Sequence, residues 1–132
     1  MRATLFTIFL TLFTGMTTIA AAQKPGKLIL RVAQEKTAPG TAIKIKFLNV
    51  PEDSRCPTGV NCIWAGVAKI KLQLRKNGKR AEFELNTNQL DKSITFEGNE
   101  INLTALTPYP KSGTAIKPAA YTATLSITKL VV

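Results

Sequence analysis

Apolar and polar residues alternate with a period of two through most of the chain beyond residue 26, and no stretch longer than about 10 residues carries a helical period. In residues 27–33, Leu28, Leu30 and Val32 share one face; in residues 41–48, Ile43, Ile45 and Phe47 point one way and Lys44 and Lys46 the other. Ala68, Ile70, Leu72 and Leu74 alternate with Lys69, Lys71, Gln73 and Arg75. Further strands are expected at residues 80–85, 93–96 and 100–106, and a long closing strand alternates Tyr121, Ala123, Leu125 and Ile127 with Thr122, Thr124, Ser126 and Thr128. Each strand has one apolar and one wet face, as in antiparallel sheets solvated on one side. Burying those faces against one another predicts an all-β, antiparallel β-sandwich of about seven strands, immunoglobulin-like or a related Greek key.

Turn chemistry divides the strands. Lys76-Asn77-Gly78-Lys79 predicts a two-residue hairpin, because both central positions of a type I′ turn need positive φ. Glu97-Gly98-Asn99 suits another tight turn. Pro108-Tyr109-Pro110 should end pairing, since proline lacks a ladder donor, and residues 111–118 should form a loop.

The N-terminus follows a different pattern. Arg2 precedes an apolar run interrupted by threonines and ending in Ala20-Ala21-Ala22, which reads as a secretory signal peptide over residues 1–22, cut after Ala22. Interrupted in this way, the run falls short of the roughly 18 continuous apolar residues of a membrane anchor. Residues 23–132 then form one domain, with no transmembrane segment in the mature chain, exported to the periplasm or the extracellular space and expected to be monomeric.

Without Arg2 the chain has 17 basic and 8 acidic residues, and residues 23–77 hold 11 of the basic ones against 3 acidic. Such a field favours anionic partners, an anionic envelope component among them. The charges are spread over several strands, so solubilising and edge-protecting roles account for them as well. Lys44, Lys46, Lys69 and Lys71 are the candidate basic face. Aromatic residues are few, which leaves no specific nucleic-acid signal.

Both cysteines, the sole tryptophan and a Pro-Thr-Gly turn fall between Asp53 and Gly66. In an exported chain, Cys56 and Cys62 are expected to close a disulfide around Pro57-Thr58-Gly59. With no histidine in the chain, the two thiols lack further ligands for a metal, and neither the spacing nor the surroundings fit a redox-active pair. No cofactor is implied. Ile63 and Trp64 should point to opposite faces of an extended segment. The size and usual burial of tryptophan favour Trp64 as a core plug on the disulfide, the alternative being an exposed aromatic anchor. Asp53 or Ser54 could accept backbone donors, Asp53 could pair with Arg55, and Gly66 could permit a close backbone approach.

The pattern Asp53-Ser54-Arg55-Cys56-Pro57, Val60, Cys62, Trp64-Ala65-Gly66, followed by Pro108-Tyr109-Pro110, resembles a family of small exported bacterial proteins, some of them lipoproteins. The resemblance implies an exported β-domain with a disulfide-closed loop and brings no catalytic residue with it. The chain departs from the lipoprotein members in lacking a lipid-acceptor cysteine after the apolar run.

An enzyme would need an acid, base or nucleophile, and the sequence supplies no histidine, no catalytic motif and no paired carboxylates. The expectation is therefore a non-enzymatic interaction or ligand-binding module, with Arg55, Pro57, Thr58, Gly59, Asn61 and Trp64 as the candidate binding loop and an unknown protein as one class of partner. The alternative is a proteinaceous inhibitor of an extracellular or periplasmic enzyme. In either case Arg55 is expected at the surface, where its removal would leave the core undisturbed.

Overall fold

The computed structural model describes residues 24–88 and 90–130, with isolated positions 15, 17 and 18 before them. The expected signal peptide lies almost wholly outside the described residues. Two four-stranded antiparallel sheets face each other, one ordered β1-β8-β7-β6 and the other β2-β3-β4-β5. The strands are β1 (Gly26–Arg31), β2 (Glu35–Thr37), β3 (Lys44–Asp53), β4 (Ala68–Lys76), β5 (Lys79–Asn86), β6 (Ser93–Phe96), β7 (Asn99–Thr107) and β8 (Thr122–Lys129). Among the described residues no helix is long and apolar enough to cross a membrane.

The alternation seen in the sequence is the alternation of burial. Ile43, Ile45, Phe47, Ala68, Ile70, Leu72, Leu74 and Leu85 from one sheet meet Leu28, Leu30, Ile101, Leu103, Ala123, Leu125 and Ile127 from the other. Burying a side chain of this size contributes about 1.5–3 kcal/mol, so these inward rows hold the sheets together. Phe83 on β5 and Phe96 on β6 meet edge to face, with centroids 6.0 Å apart, where the chain crosses from one sheet to the other.

Connectivity is sequential within each half. β2 to β5 form a meander, β6 to β8 form a second, and β1 joins the second by pairing with β8. The chain therefore changes sheet twice, after β1 and after β5. The hairpin at Asn77-Gly78 closes on Lys76 and Lys79, with both central residues at positive φ as the turn type demands. The turn before β7 places Glu97 and Gly98 in that conformation and pairs Phe96 with Asn99.

Eight strands form where about seven were expected. The additional one, β2, is Glu-Lys-Thr and exposed throughout, so no apolar periodicity marks it. β3 also runs beyond residue 48, through two register shifts around Asn49 and Glu52 that accommodate Pro51 within a strand. The shifts carry β3 to Asp53, paired with the buried Ala68, and so direct the Asp53 side chain towards the interior side of the sheet.

Candidate functional site

The connections β3–β4, β5–β6 and β7–β8 emerge at one end of the sandwich, and the segment between β3 and β4 carries the disulfide. Cys56 and Cys62 are bonded, with Cα atoms 5.9 Å apart. Ser54 fastens the base of the loop: its amide donates to the Val67 carbonyl at 2.8 Å, its Oγ donates to the same carbonyl and also accepts from the Val67 amide. One residue pair further out, the Cys56 amide donates to the Ala65 carbonyl at 3.2 Å. Gly66 makes this approach possible, because it has φ +63° and a Cβ there would collide with the Ser54 carbonyl.

Arg55 fixes the loop laterally. It is 7% exposed, and its Nε and Nη2 each donate at 2.8 Å to the two oxygens of Asp53. Nη1 donates to the Leu106 carbonyl and Nη2 also to that of Pro108, while the guanidinium lies 5.0 Å from the centre of the Tyr109 ring. Tyr121 donates its hydroxyl to the second Asp53 oxygen at 2.8 Å. The guanidinium thus joins the end of β3 to the end of β7, and the carboxylate joins it to the start of β8. Burial works to raise the Asp53 pKa, but the bonds from Arg55 and Tyr121 and the Arg55 charge outweigh it and hold the carboxyl below its usual value. Burial, reinforced by the Asp53 bond and charge, pushes the Tyr121 hydroxyl up to about 12.

This arrangement corrects two expectations. Arg55 is no surface residue: a fork of five donors can satisfy a carboxylate and two carbonyls at once, and here it replaces an apolar contact at the seam. Trp64 is no core plug. It is 82% exposed and Ile63 is 91% exposed, because both stand before β4 on a bend instead of an extended segment. The space at the seam is filled by the Arg55, Asp53 and Tyr121 side chains.

The other loop residues follow the ring. Pro57 is half-buried, whereas Thr58, Gly59 and Asn61 are exposed. The Thr58 amide donates to the Pro110 carbonyl at 3.0 Å, so the tip is tied to the β7–β8 connection as well as to its own stem. Val60, within the loop but not among the candidate binding residues, and Leu90 and Tyr109, outside it, add exposed apolar surface at this end. Trp64 and Gly66 form one wall of a shallow cleft of about 490 Å³ whose other wall is Thr87 and Asn88, from the β5–β6 connection. A second cleft, of about 360 Å³, lies between Tyr109 and Ile116.

Lys44, Lys46, Lys69 and Lys71 project from the outer face of the β2–β5 sheet, but they do not form one positive field. Lys69 lies 3.2 Å from Glu52 and Lys71 3.8 Å from Glu82. Lys44 and Lys46 form no ion pair among the described residues. No group of three or more potential metal ligands is gathered among the described residues. No protein-family model, no curated protein and no solved structure matches the chain.

Proposed function

We propose that this protein is an exported, non-enzymatic interaction module that engages a protein partner through the loop end of its sandwich, with Ile63 and Trp64 as the anchoring side chains. The observation that carries the reading is that two large apolar side chains stand almost fully in water on a segment fixed by a disulfide, by Ser54 and by Arg55. Exposed apolar surface gains free energy when covered, and a loop already held in one conformation loses little entropy when a partner covers it. Tryptophan is also among the residue types enriched at binding hot spots. The disulfide and the apolar N-terminal run with its Ala-Ala-Ala end support export to the periplasm or beyond.

Inhibition of an exported enzyme is the second reading, favoured by the same rigid loop, which is held as an inhibitor's cleft-binding segment must be. Both readings place the contact on the same residues. The test compares the wild-type domain with an Ile63→Ser/Trp64→Ala variant in pull-downs from envelope extract and against a panel of secreted hydrolases. The variant should melt as the wild type does and should lose the captured partner or the inhibition. Equal capture by both proteins would reject the loop end as the contact surface.

A further inference from the structure

The opposite end of the sandwich carries a charge arrangement that edge protection explains only for the cations of β5. On the outer face of the β2–β5 sheet, cross-strand neighbours mostly alternate in sign or pair with neutral residues: Glu35 faces Lys46, Glu52 faces Lys69 and Lys71 faces Glu84. The row nearest the Asn77-Gly78 turn breaks this rule. Lys44 faces Arg75, and Arg75 faces Arg80; the next pair, Lys76 and Lys79, closes the hairpin and points to the other face. Neighbouring strands lie about 5 Å apart, so the first three cations span only about 10 Å, and like charges directly opposite destabilise a sheet. β3 and β4 are interior strands of their sheet, so Lys44 and Arg75 do not serve as guards against edge pairing.

Partial compensation is present. Arg75 donates through Nη2 to Glu35 at 2.7 Å, and Lys79 lies 3.3 Å from Glu97. Lys44, Lys76 and Arg80 form no ion pair among the described residues. All five cations line one recess of about 260 Å³ beside the Asn77-Gly78 turn. Strand alternation puts Lys44, Arg75 and Arg80 on the outer face and turns Lys76 and Lys79 to the other, Lys79 towards Glu97. Two guanidinium forks beside an ammonium group on one face suit a compact, multiply charged anion with several acceptor oxygens. Tyr109 and Trp64, the exposed aromatics, belong to the other end, so no base-stacking platform accompanies the charge.

We propose that the part of this recess bounded by Lys44, Arg75 and Arg80 is a binding site for a phosphate group, carried either by an anionic lipid headgroup or by a soluble phosphate compound. A bound phosphate removes the repulsion built into the row and leaves the loop end free. The site does not depend on the partner proposed for that end.

The test measures binding of the intact domain to vesicles of phosphatidylglycerol in phosphatidylcholine, and separately to inorganic pyrophosphate. Lys44→Gln/Arg80→Gln breaks no ion pair or hydrogen bond among the described residues and should weaken vesicle binding about 30-fold, at roughly fivefold per basic residue. Lys69→Gln/Lys71→Gln lowers the net charge equally and should cost less than about threefold, because those lysines are already paired and lie away from the recess. Arg80→Gln alone, on the edge strand β5, is the second variant should the first not fold. Vesicle binding competed by pyrophosphate identifies a lipid source, and pyrophosphate binding alone a soluble one. Equal losses in the two double variants, or no binding of either probe, would overturn the site.

Discussion

Arg55 and Asp53, two residues apart in sequence, form a two-bond ion pair whose members reach away from each other into different strands. Arg55 grips the carbonyls that end β7, and Asp53 accepts from Tyr121 at the start of β8. The pair fastens the loop end of one sheet to the other, and the disulfide lies immediately beyond it.

Removing one member of a shielded ion pair strands the other. Arg55→Ala is expected to lower stability by about 3 kcal/mol, because it leaves the Asp53 charge and the Leu106 and Pro108 carbonyls unserved. Arg55→Lys should recover only part of this, since an ammonium lacks the planar fork. Urea denaturation of the three proteins measures both effects, and an unchanged midpoint in Arg55→Ala would remove the structural role assigned to this residue.

The same cluster sets a pH dependence. Asp53 titrates below its ordinary value in the folded protein, so its contribution is present above about pH 4 and is lost as pH falls and the unfolded chain takes up the proton first. Tyr121 titrates at about 12 against an ordinary value of 10.0, so its contribution is full below pH 10.0 and declines as pH rises towards about 12. Unfolding free energies measured across both ranges should show a shallower acid limb in Asp53→Asn and a shallower alkaline limb in Tyr121→Phe than in the wild type.

Two glycines of the loop should respond differently to alanine. Gly59 has φ +83° with open space around its would-be Cβ, so Gly59→Ala should cost only the left-handed penalty of about 1–2 kcal/mol. Gly66→Ala adds a collision with the Ser54 carbonyl to the same penalty and should cost about 3 kcal/mol or more, or prevent folding. Thermal melts of the two variants provide the comparison.

The disulfide closes a short ring, and chain-entropy reasoning assigns it about 2 kcal/mol. Cys56→Ser/Cys62→Ser should therefore remain folded through its two sheets, with faster amide exchange confined to residues 56–65. Native, non-reduced material should resist thiol alkylation. Loss of the cooperative transition in the double variant would mean that the ring supports the whole sandwich.

Legibility followed periodicity. The inward rows Ile43-Ile45-Phe47 and Ile70-Leu72-Leu74 could be read because burial imposes a period of two, and the Asn77-Gly78 turn because few dipeptides accept two positive φ values in succession. β2 could not be read, since Glu-Lys-Thr buries no side chain and is held by backbone pairing to β3 and by polar contacts of Glu35 and Lys36. The fate of Trp64 and Arg55 was hidden for a related reason. General preferences place tryptophan inside and arginine outside; Trp64 is turned out by the bend before β4, and Arg55 is drawn in by Leu106, Pro108 and Tyr109, which lie more than fifty residues from it in sequence. The pairing of Asp53 with Arg55 was available locally, from two opposite charges beside a constrained turn. The basic recess does not show in any single strand, because only the register places its cations side by side.

β1 and β8 are paired neighbours, with Gly26 opposite Ile127, so the path into the sandwich and the path out of it lie side by side at the basic end. A short linker from β8 to β1 could therefore join them, and the chain could be reopened at Asn77-Gly78 with every ladder retained. Such a circular permutant would split the cationic recess while leaving the disulfide loop in place. Conversely, a fusion partner attached beyond β8 would leave from the end opposite Ile63 and Trp64, so a tethered copy of this domain holds that pair away from its point of attachment.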